Sequence, residues 1–339
     1  MAVSATASRP VPLTADTLDP ETFDPLIPRV AQQAIAKSPI RLPWQARILP
    51  LGTFFRSAAA ANGGGNPFAP QSAFDTDSLG STPVVFTACD GSCSFKSSEV
   101  MSSSASTDHF SVGVGVGIDL VCLEASVAMH YDKDVMENRD ANKASVTTSY
   151  RAGSVAFTRP PQLSEDAFRV LHRQGVDAFK AAFGDYYVGG YRIGGDASVL
   201  FSTDASSRTE TETSQVSISV ESWIDDYHEE TYTSSTSAAQ QQEVHVSAYS
   251  TVEQLLVVET VHMGSPRFQT AVEQGRGIHR RAQGLDDAVA KVLKEVGVDE
   301  RKPLSQAQCA QLCQRAVVVE LLLVPVECLR QVRYWTIAL

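Results

Sequence analysis

Alternation of apolar and polar residues is strongest in "FSVGVGVGIDL". There Val112, Val114, Val116, Ile118 and Leu120 fall on one face, with Ser111, the glycines and Asp119 on the other. Period 2 over about ten residues predicts a strand with one buried face. The phase flips after Val121, and Leu123, Ala125, Val127 and Met129 carry the apolar row onward, which predicts a bulge or turn followed by a second arm. "YDKDVMENRDANK" reads as a polar connection and "ASVTTSYRAGSVAF" (144–157) as another strand. A helix follows: Ser164 is a good N-cap, Glu165 and Asp166 suit the first turn, and Phe168, Leu171, Val176, Phe179 and Phe183 form an apolar stripe.

Past that helix lies "FGDYYVGGYRIGG" (183–195), with four aromatics and two Gly-Gly pairs. Glycine weakens a strand interior, so either the strand bends here or another element lies against its backbone. Residues 196–250 are mostly Ser, Thr, Glu and Gln, with one short alternating patch at Val216, Ile218 and Val220. "VEQLLVVETVHM" predicts a strand. Leu285, Val289, Val292, Leu293 and Val296 share a helical face, and Ser305 with Gln308 forms a capping box for a further helix. "AVVVELLLVPVECL" closes the chain as a buried strand.

Residues 1–46, rich in Ala, Ser, Thr, Pro and Asp, read as a poorly ordered extension, and 47–339 as one large α+β domain. Net charge of −11 removes the electrostatic basis of nucleic-acid binding. The N-terminus lacks an apolar h-region, which predicts a soluble protein, either cytoplasmic or exported by a leaderless route. The paired thiols Cys89/Cys93 and Cys309/Cys313 read as core cysteines rather than zinc ligands.

Catalytic motifs are absent. "GVGVGI" lacks the third glycine of a dinucleotide loop, and neither a P-loop nor a G-x-S-x-G elbow occurs. "HEETY" puts Tyr232 where a zinc-binding helix needs histidine. The cluster Asp225, Asp226, His228, Glu229 and Glu230 reads as a solvated turn. No catalytic residue, cofactor or metal is expected.

The run Phe183, Gly184, Asp185, Tyr186, Tyr187, then six residues, then Gly194 and Gly195, resembles the signature of the membrane attack complex/perforin family, whose fold is shared with cholesterol-dependent cytolysins. That signature has a small hydroxyl residue where Asp185 stands and histidine where Tyr186 stands. The order of polar segment, strand, helix, motif and second polar segment extends the resemblance over about residues 47–335. It implies a bent, twisted four-stranded antiparallel central sheet flanked by two helical clusters, with Gly194 and Gly195 at the bend. In lytic members the clusters unwind into amphipathic hairpins and the oligomer closes as a β-barrel pore. The resemblance thus implies a soluble monomer that binds membrane lipid and self-associates, with a targeting partner protein as a further option. Val112, Val114, Val116, Ile118 and Leu120, and in the second segment Val216, Ile218 and Val220, would face lipid. "STDASSRTETETSQ" (202–215) offers no apolar row for a barrel strand, so a non-lytic binding protein on the same scaffold stays open, as does a pocket enzyme.

Overall fold

The structure is a computed structural model. It describes residues 33–45, 47–61, 66–89, 95–101, 109, 111, 127–140, 142–203, 243–262 and 265–337. Among the described residues nine strands form one sheet: β1 (Ile40–Pro43), β2 (Phe54–Phe55), β3 (Val84–Ala88), β4 (Phe95–Met101), β5 (Asn142–Phe157), β6 (Tyr186–Thr203), β7 (Glu243–Ser250), β8 (Leu255–His262) and β9 (Val318–Pro325). Every pairing between these strands is antiparallel. The expected count of four is corrected to nine. Short β1 and β2 complete the edge from segments too brief to show a period, β3 and β4 share one flank of β5, and β8 folds back on β7.

Two long central strands, β5 and β6, run the whole height of the sheet. Their neighbours change halfway. Below, β6 pairs through Tyr186–Ile193 with β9, and β9 with β1. Above, it pairs through Ala197–Thr203 with β7, and β7 with β8. Residues 194 and 195 fall between the two partners. On the other flank β3 gives way to β4 at the same height, where the β5 register slips between Arg151 and Gly153. Bulges of this kind kink a strand and increase its twist.

The helices are α1 (Ser57–Ala61), α2 (Thr76–Ser81), α3 (Val127–Glu137), α4 (Glu165–Phe183), α5 (Pro266–Ala282), α6 (Leu285–Val296), α7 (Gln306–Gln314) and α8 (Arg330–Ile337). Ser164 caps α4 by accepting from the Ala167 amide, and Ser305 with Gln308 forms the expected capping box on α7. Gly175 breaks α4 with a φ of 85°. The lower half of the sheet lies between two apolar layers. Val289, Leu312 and Cys313 meet Val188, Ile193 and Leu321 on one side, while Leu171, Phe179, Val326 and Val332 meet Phe54 and Tyr187 on the other.

Three further expectations are corrected. The row ending at Met129 gives way to α3 from Val127, whose buried positions Ala128, Tyr131, Asp132 and Val135 follow a helical spacing rather than an alternation. The strand expected to stop at Gly195 continues to Thr203, followed after the polar run by the unforeseen β7. The sheet also begins ahead of residue 47: β1 pairs with β9, and Trp44 and Gln45 are buried. The faces Val112, Val114, Val116, Ile118, Leu120 and Val216, Ile218, Val220, and the Asp225–Glu230 cluster, lie outside the described residues.

Candidate functional site at the strand exchange

The motif residues are built into the fold. Phe183 ends α4, and Gly184 follows with a φ of 126°, where a Cβ would lie 2.6 Å from the Phe55 carbonyl oxygen. Only glycine takes both that conformation and that approach readily. The Asp185 carboxylate accepts from the Ser57 amide at 2.8 Å and from the Ser57 hydroxyl, so it caps α1 from the bend between α4 and β6. Tyr186 donates its hydroxyl to the carbonyls of Gln33 and Ser38, which pins the segment ahead of β1. The Tyr187 ring packs edge-on to Phe74 at 5.1 Å. Burial pushes both phenol pKa values above the ordinary range.

The glycine pair has two different reasons to be glycine. A Cβ on Gly194 would come within 2.0 Å of the Tyr150 carbonyl oxygen on β5. On Gly195 it would meet Val252 at 2.7 Å and Leu285 of α6 at 3.0 Å. A neighbouring strand presses on the first glycine, and a helix with the β7–β8 turn presses on the second.

Beside the pair sits a buried ion triad. Arg151 of β5 reaches Asp196 of β6 at 2.5 and 3.1 Å and Glu320 of β9 at 3.3 Å. The three residues are 8%, 5% and 5% exposed, so the charges stand almost out of water. Burial pushes Asp196 up to about 6 while Arg151 pulls against it, and the two carboxylates hold the guanidinium protonated. Thr251 closes the joint. Its hydroxyl accepts from the Asp196 amide at 2.8 Å and its carbonyl accepts from Gln45 at 2.6 Å. Gln45 in turn accepts from the Val127 amide at the start of α3.

Above the triad, helix α3 lies on a polar face of the sheet. The Tyr131 hydroxyl donates to the His109 carbonyl at 3.1 Å and accepts from Ser198, which also contacts Thr147. His109 Nδ1 lies 2.7 Å from the Ser145 hydroxyl. Asp132, 3% exposed, accepts from the Ser111 amide at 2.6 Å and from its hydroxyl at 2.8 Å. Burial pushes that carboxyl up to about 7. At the far end Asn138 donates to Ser202, and His245 Nε2 lies 2.7 Å from Asp134.

One geometric relation unites these parts. The C-terminal ends of β4 and β6 and the N-terminal ends of β5 and β7 meet at one edge, where Met101 is opposite Ala144, Asn142 opposite Thr203, and Thr203 opposite Val244. From that edge leave two connections of about 40 residues, 102–141 and 204–242, each joining neighbouring antiparallel strands. Hairpin neighbours need only two to five residues.

Among the described residues no cluster suits a metal ion, and no helix is long and apolar enough to cross a membrane. A cleft of about 280 Å³ near the same edge is lined by Asp134, Glu137, Arg139, Asp140, Glu243 and His245, with Asn138 and Thr260. Its walls are polar, unlike the mostly apolar walls of a small-molecule pocket. Sequence reasoning did not find the triad, whose members are up to 169 positions apart, nor the Asp132–Ser111 clasp.

No protein-family model matches the chain, and no curated protein does. Among solved structures it is similar to the cytotoxin suilysin from Streptococcus suis, at 11% identity, 85% of this chain, 60% of that one and a TM-score of 0.33. GNIP1Aa from Chromobacterium piscinae is similar at 11% identity, 88% and 55% coverage and 0.28. A protein with a MAC/Perforin domain from Bacteroides thetaiotaomicron is similar at 12%, 70% and 58% coverage and 0.25. The chain spans less than two thirds of each of these proteins.

Proposed function

We propose that this chain is a perforin-like protein that binds a membrane, self-associates and opens a β-barrel pore. The observation that carries this reading is the pair of long connections leaving one edge of four adjacent strands, β4 to β7. A barrel strand needs about 9–11 residues to cross a bilayer. Each connection is long enough to supply two such arms in register with strands that already exist. Val112 to Leu120 would present its valines, Ile118 and Leu120 to lipid and its glycines and Asp119 to the lumen. In the second connection Val216, Ile218 and Val220 would do the same. Gly194 and Gly195 would form the bend, since neither tolerates a side chain against its neighbours.

The test is release of dye from liposomes with and without sterol and sphingolipid, read with imaging of the membranes for rings. Release with rings at micromolar protein is expected. Intact liposomes in every composition, with no membrane-bound assembly, would remove the reading. The polar stretch 202–215 favours a second reading, a non-lytic binding protein on this scaffold. A disulfide joining the first connection to the sheet separates the two: lysis would wait for reduction, whereas binding would not respond.

A further inference from the structure

We propose that the exposed face shared by α4 and α8 docks on the anionic surface of a lipid bilayer. It rests on the membrane-binding part of the reading above and not on the pore.

Four rings run in a row across the two helices. Phe168 stacks on His172 with centroids 6.2 Å apart, His172 meets Trp335 edge-on at 5.0 Å, and Trp335 meets Tyr334 edge-on at 6.0 Å. Leu171 and Val332 sit beneath them, buried in the apolar layer that covers Phe54 and Tyr187, so the row has a packed base. Its two ends are open: Phe168 is 45% and Tyr334 69% exposed.

Arginines flank the row on both helices. Arg169 and Arg173 adjoin Phe168 and His172 on α4, while on α8 Arg330 lies one turn before Tyr334 and Arg333 beside it, all four exposed. Neither 167–176 nor 328–339 contains an acidic residue. Of the acids just outside, Asp166 engages Arg169 and Glu327 engages Lys180. Arg173, Arg330 and Arg333 therefore carry the charge of the face.

Guanidinium forks match phosphate and carboxylate oxygens. Trp and Tyr rings, apolar with one polar atom, settle at headgroup level, where one end is dry and the other wet. Each basic group against an anionic leaflet strengthens binding about fivefold. The chain as a whole carries −11, so the attraction is a contact effect confined to a Debye length of about 8–10 Å rather than long-range steering. A second copy, itself acidic, is the other surface these arginines could meet, and the test separates the two.

Flotation of the full chain with vesicles of phosphatidylcholine, with and without about a third of phosphatidylserine, tests the face at about 0.1 M salt. The anionic vesicles should be bound at least about tenfold more tightly, and added salt should release the chain. Arg330→Gln with Arg333→Gln should weaken that binding up to about 25-fold, about fivefold for each arginine lost. Tyr334→Ser should weaken it several-fold through the lost ring. All three positions are exposed, so the urea midpoint should stay at the wild-type value. Arg267→Gln with Arg280→Gln removes the same charge from exposed positions on α5 and should leave binding unchanged. Equal binding to both vesicles, or none, overturns the proposal. So does an equal loss in the two double variants, which would trace binding to net charge alone. Self-association of the wild type that the Arg330/Arg333 variant loses, with vesicle binding by neither, gives the face to a second copy and overturns it as well. Dye release run alongside keeps the docking face apart from the pore. Arginine-dependent binding without release keeps the face and removes the pore, whereas release unaltered in the Arg330/Arg333 variant does the reverse.

Discussion

Two faces of the same three strands carry opposite chemistry in the upper half of the sheet. Toward α5, strands β5, β6 and β7 present Val146, Ala197, Val199, Phe201, Val244, Val246 and Ala248, packed on Phe268, Val272 and Ile278. Toward α3 they present Ser145, Thr147, Ser198 and Ser202, tied by hydrogen bonds among themselves and to His109, Tyr131 and Asn138, around a small apolar cluster in which Leu200 and Tyr249 meet Ala128, Tyr131 and Val135. Both faces are buried. Apolar burial is non-directional and tolerates small displacements, whereas a buried polar layer is favourable only while its partners stay aligned. One helix is held as part of a core. The other is held mainly by an aligned layer of hydrogen bonds.

The joint beneath both faces should be the most sensitive point. Replacing Arg151 by Met would strand Asp196 and Glu320 without their cation, at a cost of about 3–5 kcal/mol at neutral pH. Losing Arg151 removes the pull that holds the Asp196 pKa down, so its folded value rises further above 3.8. The destabilisation should then be largest above that raised value and shrink as pH falls and the carboxyls protonate. Urea unfolding of Arg151→Met and wild type at pH 5 and 8 measures it. A loss independent of pH would mean that packing, not charge, is what Arg151 supplies.

Phe201→Ala tests the apolar face. Phe201 is 3% exposed, and its ring packs close to Gly275 of α5. Truncation should cost about 3–5 kcal/mol in global stability and lower the unfolding midpoint at every pH. A smaller effect follows at the strand exchange. Gly195→Ala forces Val252 and Leu285 to yield, for about 1–3 kcal/mol, read in the same denaturant titration. If Gly195→Ala were neutral, α6 would not be wedged against β6 and the case for a bend fixed by that contact would weaken.

What was legible in the chain divides along the same line. Helices α4, α6 and α7 and strand β9 announce themselves because their buried positions, Glu320 excepted, are apolar, and Ser164 and Ser305 cap α4 and α7. The polar face hides its own strands. In β6 beyond Gly195, buried Leu200 falls on the same face as Ser198 and Ser202, so the run Val199, Leu200, Phe201 breaks the alternation that reveals a strand. In β7 Val244, Val246 and Ala248 do alternate with His245, Ser247 and Tyr249, but over only six residues at the end of a long polar run. In α3, buried Tyr131 and Asp132 break the stripe that would mark a helix. Of the candidate site, the signature from Phe183 to Gly195 was readable. The triad was not, since nothing local to Arg151, Asp196 or Glu320 records that three strands bring them together.

The smallest expected effect sharpens the contrast most. Ser198→Ala removes a hydroxyl that contacts Tyr131, Thr147 and the Val146 carbonyl. Tyr131 keeps its bond to the His109 carbonyl and Thr147 can turn elsewhere, so the cost should be about 1 kcal/mol. That loss should fall on α3 alone. Hydrogen exchange in 127–137 should quicken roughly fivefold, the kinetic equivalent of 1 kcal/mol, while 266–282 on the opposite face stays as protected as in the wild type. Phe201→Ala should do the converse, exposing both helices together through the global transition. Equal loosening of α3 and α5 in Ser198→Ala would show the two faces to be one cooperative unit, and a helix that loosens separately from the core would have no basis.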